Sequence, residues 1–464
     1  MIDRRGLLAI ALILLTGCTV GPDYKRPPIQ APDAYRGLVP NSPPQTTASV
    51  ADEKWWTVFD DPQLQALIRK ALAQNYDVRI AATRVLQAQA QLGITRADQF
   101  PAIYGGASAA DTRIPQTKLL EGTNTSSNNV NLSLAWELDF WGKYRRATES
   151  ARANLLATEW GQKAVIWSLV SNVATAYFQL LELDSQMQIS INTLASRNES
   201  LRLVKIRETG GTVSMLDVRQ SEQLVYTAAA SIPDLERQIE QQENLISILL
   251  GDNPEPITRG KPLVDIHFPP VVPAGLPSSL LERRPDLQEA EQQLVAANAQ
   301  IGVAKAAYFP DISLTAIAGY QSTALSSLFT GPAGFWSFGG QLAQPIFTAG
   351  KIRSNVRLTE AQQQQAVLFY QQSIQQAFRE VSDSLVGYRK SQEYRAQEEL
   401  LTAAAKDAVR LANLQYNGGV TSYLEVLDSD TRYFNAQISL AQAQFNERLN
   451  LVQLYNALGG GWQQ

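Results

Sequence analysis

The sequence predicts a mixed α and β membrane protein, tandemly duplicated. Its long α-helices suit a helical barrel and its four β-strands per chain a share of a transmembrane β-barrel; three chains would give a trimeric helical barrel and a 12-stranded transmembrane β-barrel. Three observations predict this. First, the 464-residue chain repeats itself at an offset of about 208 residues. TGGTVSMLDV at 209–218 returns as NGGVTSYLEV at 417–426, and DFWGKYR at 139–145 returns as FTAGKIR at 347–353. Phe100-Pro101 returns as Phe309-Pro310, and Leu250-Gly251 as Leu458-Gly459. A repeat of that length decides what the structural unit is. Second, each copy carries stretches of strict apolar–polar alternation. Third, each copy then enters a proline-free helical pattern far longer than a globular helix.

The N-terminus reads as an export segment. Asp3-Arg4-Arg5 precedes an apolar stretch at 6–15, too short to span a bilayer, and Leu15-Thr16-Gly17-Cys18 follows. That ending resembles the bacterial lipoprotein box, which implies cleavage after residue 17 and a covalent lipid on Cys18. Two or more acyl chains anchor stably where one binds only marginally. Residues 18–58, holding seven prolines between Pro22 and Pro44, form an extended lipidated tether. Repeat one then spans 59–250, an equatorial belt 251–277, and repeat two 278–464.

In repeat one a short helix near 60–73 and a longer one at 76–99 precede a hairpin at about 102–140. Val130, Leu132, Leu134, Trp136, Leu138 and Phe140 alternate there with Asn131, Ser133, Ala135, Glu137 and Asp139, the pattern of a strand with one apolar face. The partner strand near 102–110 is mostly Gly and Ala. In repeat two the hairpin covers about 311–347. Ile312, Leu314, Ala316, Ala318 and Tyr320 make one apolar row, and Trp336, Phe338, Gly340 and Leu342 another. Polar loops at 111–129 and 321–334 join the strands. Trp136, Trp141, Phe335 and Trp336 suit an aromatic belt at the membrane surface.

The long helices come next. Val165, Leu169, Val173, Ala176, Leu180, Leu183 and Met187 recur at steps of three and four, continuing to Ile191 and Leu194. That is a coiled-coil seam. A helix over 143–208 reaches roughly 100 Å at about 1.5 Å per residue. Each long helix ends at a Gly-Gly pair suited to a left-handed cap, and a return helix follows at 214–250 or 422–458. Pro233 is expected to kink the first return helix; Ala441 stands there in repeat two. Residues 265–268 suit a short strand in the proline-rich belt, and Pro285 suits the first turn of the next long helix.

Strands of about ten residues fit a transmembrane barrel, and only a closed barrel satisfies the backbone in lipid. Four strands cannot close, because the smallest membrane barrels have about eight. Several chains must therefore each contribute a part, and three would give twelve strands. The helix pairs have seams too long for one small core, and packing around a ring leaves a tube. A helical tube ending in a membrane barrel is a conduit. Glu137 and Asp139, on the polar strand face, are expected to line its lumen.

Enzymatic chemistry finds no foothold. Gly142-Lys143 and Gly350-Lys351 lack the spacing and hydroxyl of a phosphate loop, and no G-x-S-x-G elbow occurs. One histidine and one cysteine leave little for a metal site, and no cofactor or metal is expected. His267 stands alone in the belt and reads as structural. Asp428-x-Asp430 lacks the rest of a calcium loop. A net charge of −4 gives no electrostatic case for nucleic acid.

The strings CTVGPDY from Cys18, WWTVFDDPQL from Trp55, ERRPDLQEAE from Glu282 and AKAAYFPDISL from Ala304, with the repeated GGxxSxLxV, carry a resemblance. The chain resembles the TolC-type outer-membrane efflux proteins, in their lipoprotein branch that serves resistance-nodulation-division pumps, from Cys18 to about Trp462. The resemblance implies a homotrimer in the outer membrane lipid, acting as a passive duct with a closed periplasmic tip. Its partners are a periplasmic adaptor, docking at the turns of Gly210, Gly211, Gly418 and Gly419, and an inner-membrane transporter. The family's acidic tip ring does not carry over, because Asp407 stands about three helical turns before Gly418. Leu411 and Asn413 are the gate candidates, giving an apolar and amide constriction. The alternative is a duct for type I protein secretion; a pore-free coiled-coil lipoprotein is disfavoured by the alternating strands.

Overall fold

The computed structural model describes residues 19–29, 31–36, 49–59, 61–115, 123–266 and 272–462. Cys18 and His267 lie outside the described residues. The elements run α1 (Trp55–Val58), α2 (Pro62–Gln74), α3 (Tyr76–Ala97), β1 (Ala102–Ile114), β2 (Thr123–Glu137), α4 (Lys143–Thr209), α5 (Met215–Leu250), α6 (Pro277–Arg283), α7 (Pro285–Ala306), β3 (Asp311–Ser322), β4 (Gly334–Ala343), α8 (Lys351–Asn417) and α9 (Tyr423–Ala457). The two long helices have 67 residues each. The chain divides into two compact units, one of Met1–Pro28, Arg84–Glu159 and Glu289–Gln371, the other of Ile29–Thr83, Trp160–Gln288 and Gln372–Gln464.

The first unit holds the strands. They form one antiparallel sheet in the order β1-β2-β3-β4. The two hairpins are therefore joined through β2 and β3, where Leu132 faces Ala318 and Leu134 faces Ala316. Strands β1 and β2 have 13 and 15 residues, longer than the pattern alone suggested. Polar and small residues such as Ser126 and Thr125 extend the ladder without alternating hydrophobicity. The registers place Ile103, Val130, Leu132, Leu134, Leu314, Ala316, Trp336 and Phe338 on one face. Asn131, Ser133, Thr315 and Ser337 share the other. Trp336 is 81% exposed and Phe338 68%, as a lipid-facing row requires. Residues 102–110, 127–136, 312–322 and Gly334–Ala343 carry no charged side chain, which suits the bilayer's depth.

Residues 19–26 are knitted onto this unit. Val20 N–H donates to the Trp141 carbonyl at 3.0 Å. Asn298 donates to the Pro22 carbonyl at 2.9 Å, and Arg146 pairs with Asp23 at 2.7 Å. Tyr24 donates to Glu291 at 3.1 Å, and Arg26 pairs with the same carboxylate. Gly21, at φ +105°, lies so close to Gly302 that a Cβ would sit 2.5 Å from its Cα. Of the expected tether at 18–58, residues 19–26 are thus extended and held by specific polar contacts, whereas Val50–Asp52 and Trp55–Val58 are short helices instead of extended chain.

The second unit is helical. Phe59 packs edge-on against Phe178 and Tyr455 at centroid distances of 6.4 and 5.8 Å. Buried Asp61 caps α2 by accepting from the Gln63 and Leu64 N–H groups, and it also accepts from the Tyr177 hydroxyl at 3.3 Å. Arg284, of the ERRPDL string, is buried between Asp286 and Glu380, with its guanidinium 4.9 Å from the Trp167 ring centre. In the belt, the expected strand at 265–268 is not formed by the described residues. Leu263–Asp265 is a 3-10 turn, whose neighbouring carbonyls at Leu263 and Ile266 accept from Arg448. Burial lowers the Arg448 pKa. Pro233 sits inside α5, which continues through it as one helix.

Candidate gate at the helix tips

Both long helices stop the same way. Gly210 N–H donates to Ile206 and Thr212 N–H to Arg207; 208 residues later Gly418 donates to Leu414 and Val420 to Gln415. Gly211 and Gly419 take φ of +71° and +73°, a conformation that costs other L-residues roughly 1–2 kcal/mol. Ser214 then opens α5 with a capping box shared with Asp217. The sequence-predicted tip glycines therefore form two matched reversals.

Between them the repeats meet. Leu201, Val204, Val218 and Val225 of repeat one are buried with Ala412, Tyr423, Val426 and Leu427 of repeat two. Polar contacts cross this apolar patch. Arg197, 4% exposed, pairs with Asp430 through Nε at 2.7 Å, donates to the Leu224 carbonyl at 3.0 Å, and faces the Phe434 ring at 5.1 Å. The Ser221 and Tyr423 hydroxyls lie 2.6 Å apart. Burial pushes the Tyr423 phenol above its ordinary pKa, so it stays neutral. Nearer the turns, Arg207 donates to Asn417 at 2.9 Å and lies 5.0 Å over the Tyr416 ring. Lys205 and Arg219 both pair with Glu222, at 3.0 and 2.7 Å, and hold its carboxyl below the usual range.

Asn413 lines a polar cavity of about 50 Å³ beside Arg197, Ser221 and Asp430, and its amide donates to the Val409 carbonyl of its own helix. Leu411 is 44% exposed, whereas its neighbour Ala412 turns into the apolar patch. Asp407 is occupied by Arg410 at 2.7 Å. Arg197, Asp430, Tyr416 and Tyr423 were not singled out from sequence as site residues, yet a signal existed. Steps of four and three from Leu169 through Val173, Ala176, Leu180 and Leu183 arrive at Ser190, Leu194, Arg197, Leu201 and Val204, and Ile191 is off this row. The helix keeps its seam and places an arginine in it. A polar residue at one seam position specifies register at a cost in stability.

Glu137 and Asp139 lie elsewhere, where β2 meets α4. Glu137 accepts from Lys143 at 2.9 Å and from the Tyr144 hydroxyl at 2.7 Å. Asp139 lies two residues past the end of β2 rather than on it. Its carboxylate accepts the backbone N–H groups of Tyr144 and Arg145 at 3.1 and 2.9 Å, satisfying donors that a helix start leaves open. Both carboxylates hold the strand–helix elbow.

The fold as a whole has relatives among known proteins. A family model described as outer membrane efflux protein matches residues 67–252 and 276–460, once on each repeat. The chain is 41% identical over 470 residues to the solvent efflux pump outer membrane protein SrpC of Pseudomonas putida, covering 99% of this chain and 98% of the relative. It is 36% identical over 455 residues to the cation efflux system protein CusC of Escherichia coli, covering 97% of each. Among solved structures it superposes on the outer-membrane channel OprN with a TM-score of 0.87 at 31% identity, covering 96% of this chain and all of that one.

Proposed function

The chain belongs to the outer membrane efflux protein family, and from that premise we propose that three copies form a duct held shut by the inter-repeat contacts around Arg197 and Asp430. It is an outer-membrane exit duct of a tripartite efflux pump. One observation carries the gate: a buried guanidinium of repeat one is bonded to a carboxylate of repeat two about three helical turns from the matched glycine turns, tying the two arches together behind the tip. Such a pair ties one helical arch to the other. Moving the arches apart must break it, and an isolated buried charge is costly. Leu411 and Asn413 of the three copies would narrow the tip, and an adaptor would engage the turns at Gly210, Gly211, Gly418 and Gly419. An inner-membrane transporter would supply the energy.

The relatives named for solvents and for cations support small solutes as cargo, and the higher identity to the solvent relative favours organic ones. A lipid on Cys18 would anchor the chain beside the membrane elbow, because Thr19 packs against Gly142. Deletion should sensitise the host to organic solvents or drugs and leave polypeptide secretion intact. Loss of a secreted polypeptide with unchanged sensitivity would favour the type I secretion reading instead.

A further inference from the structure

The two loops at the outer rim of the sheet are not copies of each other. The loop between β1 and β2, at 111–129, holds Asp111, Arg113, Lys118 and Glu121, whereas the loop between β3 and β4, at 321–334, holds no charged residue. Uncharged sequence runs unbroken from Ile312 to Gly350. Strand β3 follows α7 and β4 leads into α8, so this loop joins the strand ends remote from the helices. Its largest side chains are bare, Leu325 and Phe329 each being 71% exposed. Exposed apolar groups gathered in one place mark a contact with membrane or protein.

Ring geometry says on which side of the sheet they lie. Tyr320 pairs with Val130 and with Gly334, which puts it in the apolar row of Leu314 and Trp336. A Cβ on Gly334 would stand 3.7 Å from the Tyr320 ring, so the ring lies across β4 on that face. Phe329 meets the same ring edge-on, with centroids 5.7 Å apart. The loop therefore joins the lipid-facing row, not the polar row of Asn129, Asn131 and Gln321.

Its polar groups are bonded within the protein. The N–H groups of Ser327, Leu328, Thr330 and Ala333 donate to the carbonyls of Ala324, Leu325, Ser327 and Thr330 at 3.2, 3.3, 3.3 and 3.0 Å. The Ser327 and Thr330 hydroxyls donate to the Ala324 and Ser327 carbonyls at 3.1 and 2.7 Å. Ser322 Oγ accepts the Ala324 N–H at 3.2 Å, and the Asn128 amide donates to the Ser322 and Thr323 carbonyls at 3.3 and 3.4 Å. Bonded polar groups leave water at far lower cost than bare ones, and backbone beside lipid has to find its partners in the protein.

We propose that this loop is an outer-leaflet anchor, in which Leu325 and Phe329 enter the acyl-chain boundary of the membrane beside Tyr320. The occupant is lipid hydrocarbon and not a protein, because the patch continues the lipid-facing row through the Tyr320 ring. The anchor rests on the transmembrane barrel and adds a fixed depth to it. The hairpin of repeat two is held at the leaflet, while the charged loop of repeat one stays in water.

Three variants of the full chain test this: Leu325→Cys, Phe329→Cys and Thr125→Cys, the last at the outer end of β2 on the polar face. Each is labelled with nitrobenzoxadiazole in phospholipid vesicles, and the unsubstituted chain measures any labelling at Cys18. Probes at 325 and 329 should be quenched roughly threefold more by a nitroxide on the lipid acyl chain than by aqueous iodide, and the probe at 125 should show the reverse. Iodide quenching at either loop position equal to that at 125 would overturn the anchor. A lid folded over the pore mouth is the rival occupant of this sequence. It requires Phe329→Ser to raise conductance several-fold, where the anchor leaves conductance unchanged. Failure of the unsubstituted chain to enter vesicles would instead sink the barrel itself.

Discussion

Arg197 is the residue on which the proposed gate turns. Its pairing with Asp430 is nearly dry on one side, since the guanidinium is buried and the carboxylate about a quarter exposed. Removing only the acid strands the cation. Asp430→Asn should therefore loosen the tip by about 3 kcal/mol, the low end for a broken buried pair. Arg197→Met, which removes the charge and keeps an apolar stem on the seam, should cost less. Local hydrogen exchange at residues 194–204 and 423–430 would rank the two variants; equal protection in both would mean the pair holds nothing. Glu222 adds a pH dependence. Its folded carboxyl titrates below the ordinary value because Lys205 and Arg219 bond it. That contribution is present above the unfolded value of about 4.3 and is lost as pH falls through the depressed folded value. Exchange at the repeat-one turn should quicken only under such acidity, and Glu222→Gln should abolish the step.

At the scale of elements, the two arches differ at their membrane ends. α4 starts from an elbow held by Asp139, Trp141, Lys143 and the strap at residues 19–26, whereas α8 starts from Phe347, Thr348 and Ala349 with none of these. Amides at the start of α4 should exchange far more slowly than those at the start of α8. Trp141→Ala should remove about 2 kcal/mol from the first elbow, the sum of a ring pair and a hydrogen bond, and narrow that gap. An unchanged ratio would show that the elbows are held by something else. Most elements were legible in the sequence because their signals are local: alternation for β3 and β4, proline-free 3–4 spacing for α4, Gly-Gly for the turns. The outer ends of β1 and β2 were not, since polar ladder residues such as Ser126 and Asn128 read as loop. The belt at Leu263–Asp265 misled because its conformation is set by Arg448 from a distant helix. Arg197 escaped for the same reason. Its meaning depends on Asp430, 233 residues later, which sequence spacing does not reveal.

For the whole molecule, duplication explains both the construction and the gate. Six near-equivalent staves would come from three chains, and the departures from equivalence fall where function needs them. Repeat one supplies the fixed arch, with its elbow locked and its arginine buried. Repeat two supplies the carboxylate that must let go and the elbow that holds least. Conductance of the purified protein in planar bilayers measures this most directly. The native chain should show small, rarely opening channels, and Asp430→Asn, which strands the buried guanidinium, should open them several-fold wider at the same voltage. Identical conductance in the two proteins, with trimers intact, would contradict a gate built on this pair.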